Sequence, residues 1–158
     1  MTDHAAASAK VLAILSDPAN IPAVTKHLGL ELTRVDTETN DMEAEFTVRP
    51  EFRNPNGSCQ GGIVSAFLDE IMSLSLFVAG RMKSGVPTLE MKTTYLRPLM
   101  TDRARCVGRT VRQGRSVGFT EGQLFDENGK LCATATATAA IRPFKVSPED
   151  GQEKGHGE

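Results

Sequence analysis

One long apolar segment, residues 61–79, constrains the fold of this chain more than any other feature of its sequence. Wound as a helix, the segment is apolar around most of its circumference, whereas a helix on a protein surface carries a single apolar stripe. A membrane span is disfavoured because Asp69 and Glu70 lie near the middle of the segment, and each would cost about 2.5–3.5 kcal/mol in a bilayer. The segment is therefore predicted to be a helix buried inside a domain.

The runs of residues on either side of this helix are typical of β-strands. They are residues 30–37, 42–49, 88–97, 103–113, 116–125 and 130–142. Asn128-Gly129, between the last two runs, predicts a hairpin turn, and the other connections after the helix are also short. The last run alternates alanine with threonine, so its alanine side would let a helix pack closely.

This order of elements predicts an α+β fold, in which an antiparallel sheet of about six strands curls around one long central helix. A flat sheet with the helix lying on it is the alternative. The central helix is expected to close with Gly80. Two more helices are expected near the N-terminus, one at residues 5–15 and one that starts after Pro22 and stops near Gly29. The predicted organisation is a helical extension, one domain and a disordered tail, at residues 1–28, 29–144 and 145–158.

Composition and charge disfavour several classes of function. The chain has 18 Lys and Arg against 20 Asp and Glu, a net charge of −2, and only 5% aromatic residues with no Trp, which disfavours nucleic-acid binding. The three cysteines are odd in number and widely spaced, and the first residues do not resemble a secretory signal. A reduced, cytoplasmic location without a membrane partner is therefore expected. No spacing in the sequence suggests a metal site or a cofactor.

Asp69 is the strongest candidate for a catalytic group. Ser65, Asp69 and Ser73 recur every four residues, so they form a narrow polar stripe on the apolar helix. The apolar residues beside Asp69 in sequence should remove water from its carboxylate and make it a better base. A carboxylate in solvent, or in a structural hydrogen bond, is the alternative. Glu70 points about 100° away around the helix, so it is interpreted as structural.

Gly61-Gly62 at the start of the helix is a second candidate. Without side chains, these residues let a ligand approach the exposed N–H groups of the helix N-terminus, which could polarise a carbonyl as an oxyanion hole. A plain helix start is the alternative. Gly61 and Asp69 lie about 12 Å apart along one helix at 1.5 Å per residue. If both act on one carbonyl, a symmetric dimer must bring Gly61 of one copy to Asp69 of the other.

The residues around the helix start resemble a family signature. Their spacing is Asn54-x-x-Gly57-x-x-Gln60-Gly61-Gly62, with Asp69 following on the helix. It is similar to the Asn/Gln-x-x-Gly-x-x-His-Gly-Gly signature of the hotdog-fold acyl-CoA thioesterases of the phenylacetate-pathway (PaaI-like) type. The likeness covers about residues 30–143 and includes the final Ala/Thr strand and three other segments. Those segments are Val86-Pro87-Thr88-Leu89-Glu90-Met91, Tyr95-Leu96-Arg97-Pro98 and Gly114-Arg115.

The resemblance implies a hotdog fold, an acyl-CoA substrate and a homodimer, often paired into a tetramer, with active sites at the dimer interface. Asp69 matches the catalytic carboxylate, which in the family acts as general base or as nucleophile. Gly61 matches the residue whose N–H polarises the thioester carbonyl. Asn54 matches an amide that positions the reacting groups, and Thr88 stands where members often place a hydroxyl near the water. Asn54 could instead be a turn residue, and Thr88 an ordinary strand residue.

Gln60 departs from the signature, because histidine is usual at that position. The histidines of the chain are His4, His27 and His156, so none is available within the motif. This disfavours Ser-His-Asp chemistry and the hydratases of this fold, which depend on an Asp-His pair. A glutamine amide can still hydrogen-bond a carbonyl or orient Asn54, so chemistry at Asp69 remains possible.

A basic stretch is consistent with a coenzyme A partner. Residues 92–115 contain seven basic residues and one acidic residue, a net +6 that leaves −8 for the remainder. The mid-strand arginines could dock phosphates or simply cover an outer sheet face. Arg97 and Arg115, at strand ends, are the preferred candidates because arginine suits bidentate phosphate contacts. Cys59 is a weak candidate nucleophile, since no basic residue near it in sequence would lower its pKa.

The sequence therefore predicts a thioester hydrolase acting on acyl-CoA, with Asp69, Gly61, Asn54, Thr88 and Gln60 at the catalytic site. Gly62, Arg97 and Arg115 are predicted to bind the substrate. Two rivals stay open: a hotdog module that binds acyl-CoA without cleaving it, and an interaction scaffold that uses only its dimer surface.

Overall fold

The computed structural model describes residues 3–144. The helices are α1 (Asp3–Ser16), α2 (Ala23–Leu28) and α3 (Gly61–Ala79), with a short 3-10 helix at Pro50–Phe52. The strands are β1 (Leu30–Val35), β2 (Asp41–Thr47), β3 (Ser84–Gly85), β4 (Thr88–Tyr95), β5 (Arg103–Gln113), β6 (Val117–Asp126), β7 (Leu131–Ala140) and β8 (Arg142–Pro143). The tail predicted at residues 145–158 lies outside the described residues.

A six-stranded antiparallel sheet wraps around α3. Its strand order is β1-β2-β5-β6-β7-β4, and every neighbouring pair runs antiparallel. α3 contacts β2, β5, β6, β7 and β4, so the sheet encloses the helix on several sides. The predicted architecture is confirmed, and the flat-sheet alternative is wrong. The sheet leaves β1 and β4 as its two edges, and β4 is the edge that lies along the polar stripe of α3.

α3 occupies the centre because its apolar side chains point into the sheet. The helix begins as predicted, and the Gln60 carbonyl accepts the N–H groups of Ile63 and Val64 at 2.9 and 3.1 Å. The ring of Phe67 stacks on that of Phe46 in β2, with centroids 4.4 Å apart. Among the helices within residues 3–144, α3 alone has the length and composition to cross a membrane, a test that buried core helices also pass.

Glycines on the inner face of the sheet allow α3 to approach closely. A Cβ atom at Gly108 of β5 would lie 2.6 Å from the carbonyl oxygen of Ile71, and one at Gly118 of β6 would lie 2.5 Å from a methyl carbon of Leu76. The alanines of β7 also face inward and are buried, as their alternation predicts. The glycine contacts were not predicted, because isolated glycines in a strand form no pattern.

Gly108→Ala is expected to lower the free energy of unfolding by about 3 kcal/mol, which is the upper end of the usual cost of overpacking a core. The added methyl group would meet helix backbone, which cannot move aside as a side chain can. Urea denaturation at one fixed protein concentration measures the change. Gly85→Ala is the matched control, because a Cβ atom there has no neighbour closer than 3.8 Å. Equal stability of the two variants would contradict the close approach.

Several local features differ from the predictions. α2 starts directly after Pro22, as expected, but Pro22 itself precedes the helix with an extended backbone, φ −60° and ψ 155°. α3 closes with Gly80, as expected, but Gly80 has φ −76° rather than the left-handed conformation common after a helix, and its N–H still bonds the Leu76 carbonyl. The left-handed residues come just afterwards, at Arg81 and Met82, with φ 54° and 58°. The β3–β8 ribbon was also missed, since two-residue strands are too short to show alternation.

The N-terminal helices pack on the domain. The Ser8 and Thr37 hydroxyl oxygens lie 3.1 Å apart and link α1 to the end of β1. In α2, Leu28 and Thr25 are both buried. The separation of residues 1–28 as an extension stays a prediction.

Candidate active site

The polar stripe on α3 faces the edge strand β4. The Thr88 hydroxyl, at the start of β4, donates to Oδ1 of Asp69 at 2.8 Å. Ser65, one helical turn before Asp69, donates through Oγ to Oγ1 of Thr93, which lies five residues after Thr88 on β4, at 3.0 Å. Asp69 is only partly buried in the single chain, because its apolar neighbours in sequence point into the core on the other side of the helix. The loss of solvation expected for Asp69 would therefore have to come from a partner chain or a bound substrate.

Gly61 lies at the opposite end of the contact between α3 and β4. The Tyr95 hydroxyl, at the end of β4, donates to the Gly61 carbonyl at 2.9 Å. The Tyr95 ring lies 3.4 Å from where a Cβ atom of Gly61 would stand. Within the described chain, neither the Gly61 nor the Gly62 N–H has a hydrogen-bond acceptor. A Cβ atom at Gly62 would meet nothing within 4 Å, so this helix end is open to a ligand.

The predicted catalytic residues therefore form two groups in one chain. Asp69 and Thr88 lie together at the start of β4, whereas Gly61 lies beside Tyr95 at its end. Two turns of α3, about 12 Å, separate Gly61 from Asp69. One chain does not bring the two groups to a common point.

Asn54 and Gln60 lie near Gly61, before the start of α3. The Asn54 amide donates to Ser58 Oγ at 2.8 Å and its Oδ1 accepts the Asn56 N–H at 3.0 Å. These bonds belong to the turn that Gly57 completes with φ 82°, which agrees with the turn alternative for Asn54. The Gln60 side chain is exposed and provides no cap to α3.

A groove of about 310 Å³ opens beside the start of α3. It is lined by side chains from the Asn54 turn, from α3 and from the segment that follows β4. Three residues predicted for the site share this groove: Asn54, Gly61 and Arg97. Tyr95 lines it as well and was not predicted as a site residue, although it stands in the Tyr95-Leu96-Arg97-Pro98 segment that carries the resemblance.

Glu70 has a structural role, as its direction on the helix indicated. The Thr25 hydroxyl of α2 donates to its carboxylate and ties α2 to α3. Burial raises the pKa of Glu70, the Thr25 hydrogen bond opposes that shift, and the charge of Asp69 adds to it. Protonation of Glu70 is thus favoured in the folded chain relative to water.

Cys59 is not a nucleophile at neutral pH in this environment. The residue is buried, and burial raises the pKa of its thiol to about 11, although Arg53 has a weaker opposing effect. A thiol with that pKa stays protonated near pH 7. No group of three His, Cys, Asp or Glu residues within residues 3–144 is arranged to hold a metal ion.

The arginines divide into paired and unpaired groups. The mid-strand arginines of β5 form ion pairs with acidic residues of β1, β2 and β6 on the outer sheet face; they are Arg103, Arg105 and Arg109. Arg97 donates to the Leu131 carbonyl at 2.8 Å and is exposed. Arg115 is exposed and has no acidic partner in the part of the chain that the structure describes. The outer-face alternative thus fits the mid-strand arginines.

Comparisons with known proteins agree with this fold. The sequence model of the thioesterase superfamily matches residues 56–133. The proofreading thioesterase EntH of Klebsiella pneumoniae subsp. pneumoniae is 28% identical over 115 residues, covering 73% of this chain and 82% of its own. A phenylacetic acid degradation-related protein of Ralstonia eutropha JMP134 superposes with a TM-score of 0.77 at 33% identity, covering 83% of this chain and 98% of its own.

The chain belongs to the thioesterase superfamily. It is a PaaI-like hotdog thioesterase and hence a thioester hydrolase. The E. coli PaaI protein from the phenylacetic acid degradation operon has the same fold, with a TM-score of 0.76 at 16% identity over 89% of this chain and 99% of its own. In this PaaI-like thioesterase, the family signature therefore lies at the start of α3, where the groove opens.

Proposed function

We propose that this thioesterase hydrolyses acyl-CoA at a site shared by two copies of the chain, with Asp69 as general base or nucleophile. The observation that carries the proposal is the position of the two groups along β4. Asp69 is held by Thr88 at one end of this edge strand, and the free N–H of Gly61 lies by Tyr95 at the other end.

Antiparallel pairing of β4 with β4 of a second copy would join the two groups. A symmetric dimer repeats the same contact on both copies, so the Thr88 end of one strand meets the Tyr95 end of the other. β4 is a fully formed strand at the sheet edge, and an edge strand carries unpaired N–H and C=O groups that another strand can use. Exposed apolar side chains mark the strand and its continuation: Leu89, Tyr95 and Leu96. A homodimer, and then a dimer of dimers, is the proposed assembly.

The chemistry at this shared site follows from the hydrogen bonds. Thr88 occupies Oδ1 of Asp69, which leaves Oδ2 to take a proton from water, or to attack the thioester carbon directly. Attack places negative charge on the carbonyl oxygen, and the Gly61 N–H of the other copy would stabilise it. Collapse of the adduct breaks the C–S bond and releases the thiolate of coenzyme A. If water attacked, the free acid is formed at once, and the proton taken up by Asp69 passes to the thiolate or to solvent. If Asp69 attacked, the acyl group stays on it as a mixed anhydride, which water then hydrolyses to the free acid. Thiols are acidic enough to leave with little help from a proton donor.

Substrate binding is assigned to the open helix end and to the unpaired arginines. Gly62 allows the acyl thioester to approach the N–H groups, while the Asn54 and Gln60 amides would orient the reacting groups. Arg97 shares the groove of Gly61. Arg115 lies towards the end of β4 at which Thr88 stands, because the carbonyl of the neighbouring Ser116 accepts the N–H of Ile141 at 2.8 Å. In the antiparallel dimer, Arg97 of one copy and Arg115 of the other would lie near the same shared site, where they can contact phosphates. A cytoplasmic location is proposed with this substrate.

Gln60 favours a second candidate, in which the chain binds acyl-CoA without cleaving it. A thiol-release assay with short, medium, long-chain and aryl-CoA esters tests between the two. We expect the wild-type protein to hydrolyse at least one ester. Calorimetric binding of an ester that is never cleaved would favour the binding module, and binding of none would contradict both.

A further inference from the structure

The hydroxyl of Tyr95 donates a hydrogen bond to the carbonyl of Gly61, the first residue of α3. The carbonyl of Gly61 and the N–H of Gly62 belong to one planar amide, whose electrons are delocalised. A hydrogen bond donated to the oxygen of that amide increases the positive charge on its N–H. Chains of hydrogen bonds strengthen one another by about 10–30% per bond in this way.

The Gly62 N–H, which is the group that Tyr95 affects, is free to donate a hydrogen bond to a ligand. The Gly62 N–H has no acceptor among the described residues, and the space above Gly62 is open. Two successive free N–H groups at the first turn of a helix point towards the same side, which is how helix starts bind anions. Gly61 and Gly62 therefore offer two N–H donors, and the hydrogen bond from Tyr95 polarises the Gly62 N–H.

Tyr95 is fixed in the position this requires. Its oxygen lies 2.6 Å from Ser65 Oγ. Because the Tyr95 proton goes to the Gly61 carbonyl, Ser65 is the donor in this contact, and Thr93 Oγ1 at 3.0 Å is the alternative acceptor for the Ser65 proton. The ring of Tyr95 packs against Gly61. Tyr95 thus lies at the end of a row of three hydroxyl groups, and its own hydroxyl is the one that reaches the Gly61 carbonyl.

We infer that Gly62 contributes a second N–H to the oxyanion site and that Tyr95 is a positioning residue that polarises it. This inference rests on the proposed function, because it adds a donor to the same site. Tyr95 need not touch the substrate. Its effect should appear when charge develops on the carbonyl oxygen, and not when the thioester first binds.

Tyr95→Phe tests the inference because it keeps the ring and removes the hydroxyl. We expect kcat to fall about tenfold, less than the 10²–10³-fold loss caused by deleting an oxyanion donor outright. The dissociation constant of a thioether analogue of the substrate should change by less than twofold. A trifluoromethyl ketone analogue, which forms a tetrahedral oxyanion, should bind about tenfold more weakly, in parallel with kcat. Thr94→Val removes a hydroxyl from the outer side of the same strand and should change none of these.

An NMR measurement provides a readout that does not require turnover. The Gly62 amide proton should shift upfield in Tyr95→Phe, while the ring that packs against Gly61 is retained. An unchanged Gly62 shift, or unchanged kcat and ketone affinity, would overturn the inference. Equal weakening of the thioether and ketone analogues would also overturn it, since a purely structural role predicts that result. If Asp69→Asn loses activity while Tyr95→Phe keeps it, the proposed function stands and this inference fails.

Discussion

Asp69→Asn is expected to lower kcat for acyl-CoA hydrolysis by about 10³-fold, within the 10²–10⁴-fold range typical of a lost general base and at least as large if Asp69 is the nucleophile. The amide oxygen of Asn can still accept the Thr88 hydrogen bond, so the local geometry should survive. An amide cannot take a proton from water at neutral pH. Thiol release at saturating substrate measures the loss, and Asp69→Ala should show a loss of similar size.

Glu70→Gln is the matched control, because it removes the neighbouring carboxylate from the same helix. Glu70 contacts Thr25 rather than the groove, so kcat should stay within about twofold, as expected for a residue outside the site. Burial raises the pKa of Glu70, so its ionisation opposes folding at neutral pH, and that penalty disappears as the pH falls below its unfolded pKa. The glutamine variant should therefore gain stability at pH 7 and lose that gain in acid. A large fall in kcat for Glu70→Gln with full activity for Asp69→Asn would contradict the assignment of the base.

Most of the fold could be predicted from the sequence because its strongest hydrophobic patterns are the ones that determine how the helix and the sheet pack. The apolar circumference of residues 61–79 required an enclosing sheet, and the period-two alternation of β2 and β7 located inner faces. The features that were not predicted do not repeat at a regular spacing in the sequence. Gly108 was not predicted as a contact because a close approach depends on the position of α3 in space. The left-handed residues after α3 were missed because neither is glycine.

The candidate site was predicted less completely, and for a different reason. Asp69 could be found from the polar stripe, but its partner Thr88 came only from the family resemblance. The contact depends on which strand lies along the helix, and a single sequence does not encode that pairing locally. Tyr95 was missed on similar grounds, since its hydrogen bond crosses from the end of β4 to the start of α3. Asp69 is only partly buried in one chain, because adjacent residues on a helix face different directions, so its desolvation stays a prediction.

Gly61→Pro is the second variant with a large expected effect, because it deletes the proposed oxyanion N–H. Proline is favoured at the first position of a helix, and Gln60 already has the extended backbone that a residue before proline needs, with ψ 136°. The Gly61 N–H has no acceptor to lose within the described chain. The variant should therefore fold, with a melting temperature close to the wild type, and its kcat should fall 10²–10³-fold, as for a lost oxyanion donor.

Mixed dimers of two inactive chains then show whether Asp69 and Gly61 act across a subunit interface. We expect a dimer of one Asp69→Asn chain and one Gly61→Pro chain, purified through two different tags, to recover about half of the wild-type rate. In a symmetric dimer one of its two sites would take Asp69 from the second chain and Gly61 from the first, both intact. Recovery also shows that the Gly61→Pro chain is folded.

A second mixed dimer reverses the outcome and provides the control. Here one chain is wild type and the other carries both substitutions, so this dimer contains the same two substitutions as the first mixed dimer. If the site is shared, each active site in this dimer lacks one group, and the rate should be about the average of the Asp69→Asn and Gly61→Pro rates, far below half of the wild-type rate. If the site belongs to one chain, the wild-type chain should supply about half of the full rate and the first mixed dimer should be inactive. That second pattern would contradict the shared site, because β4 would then have no part in bringing the two groups together.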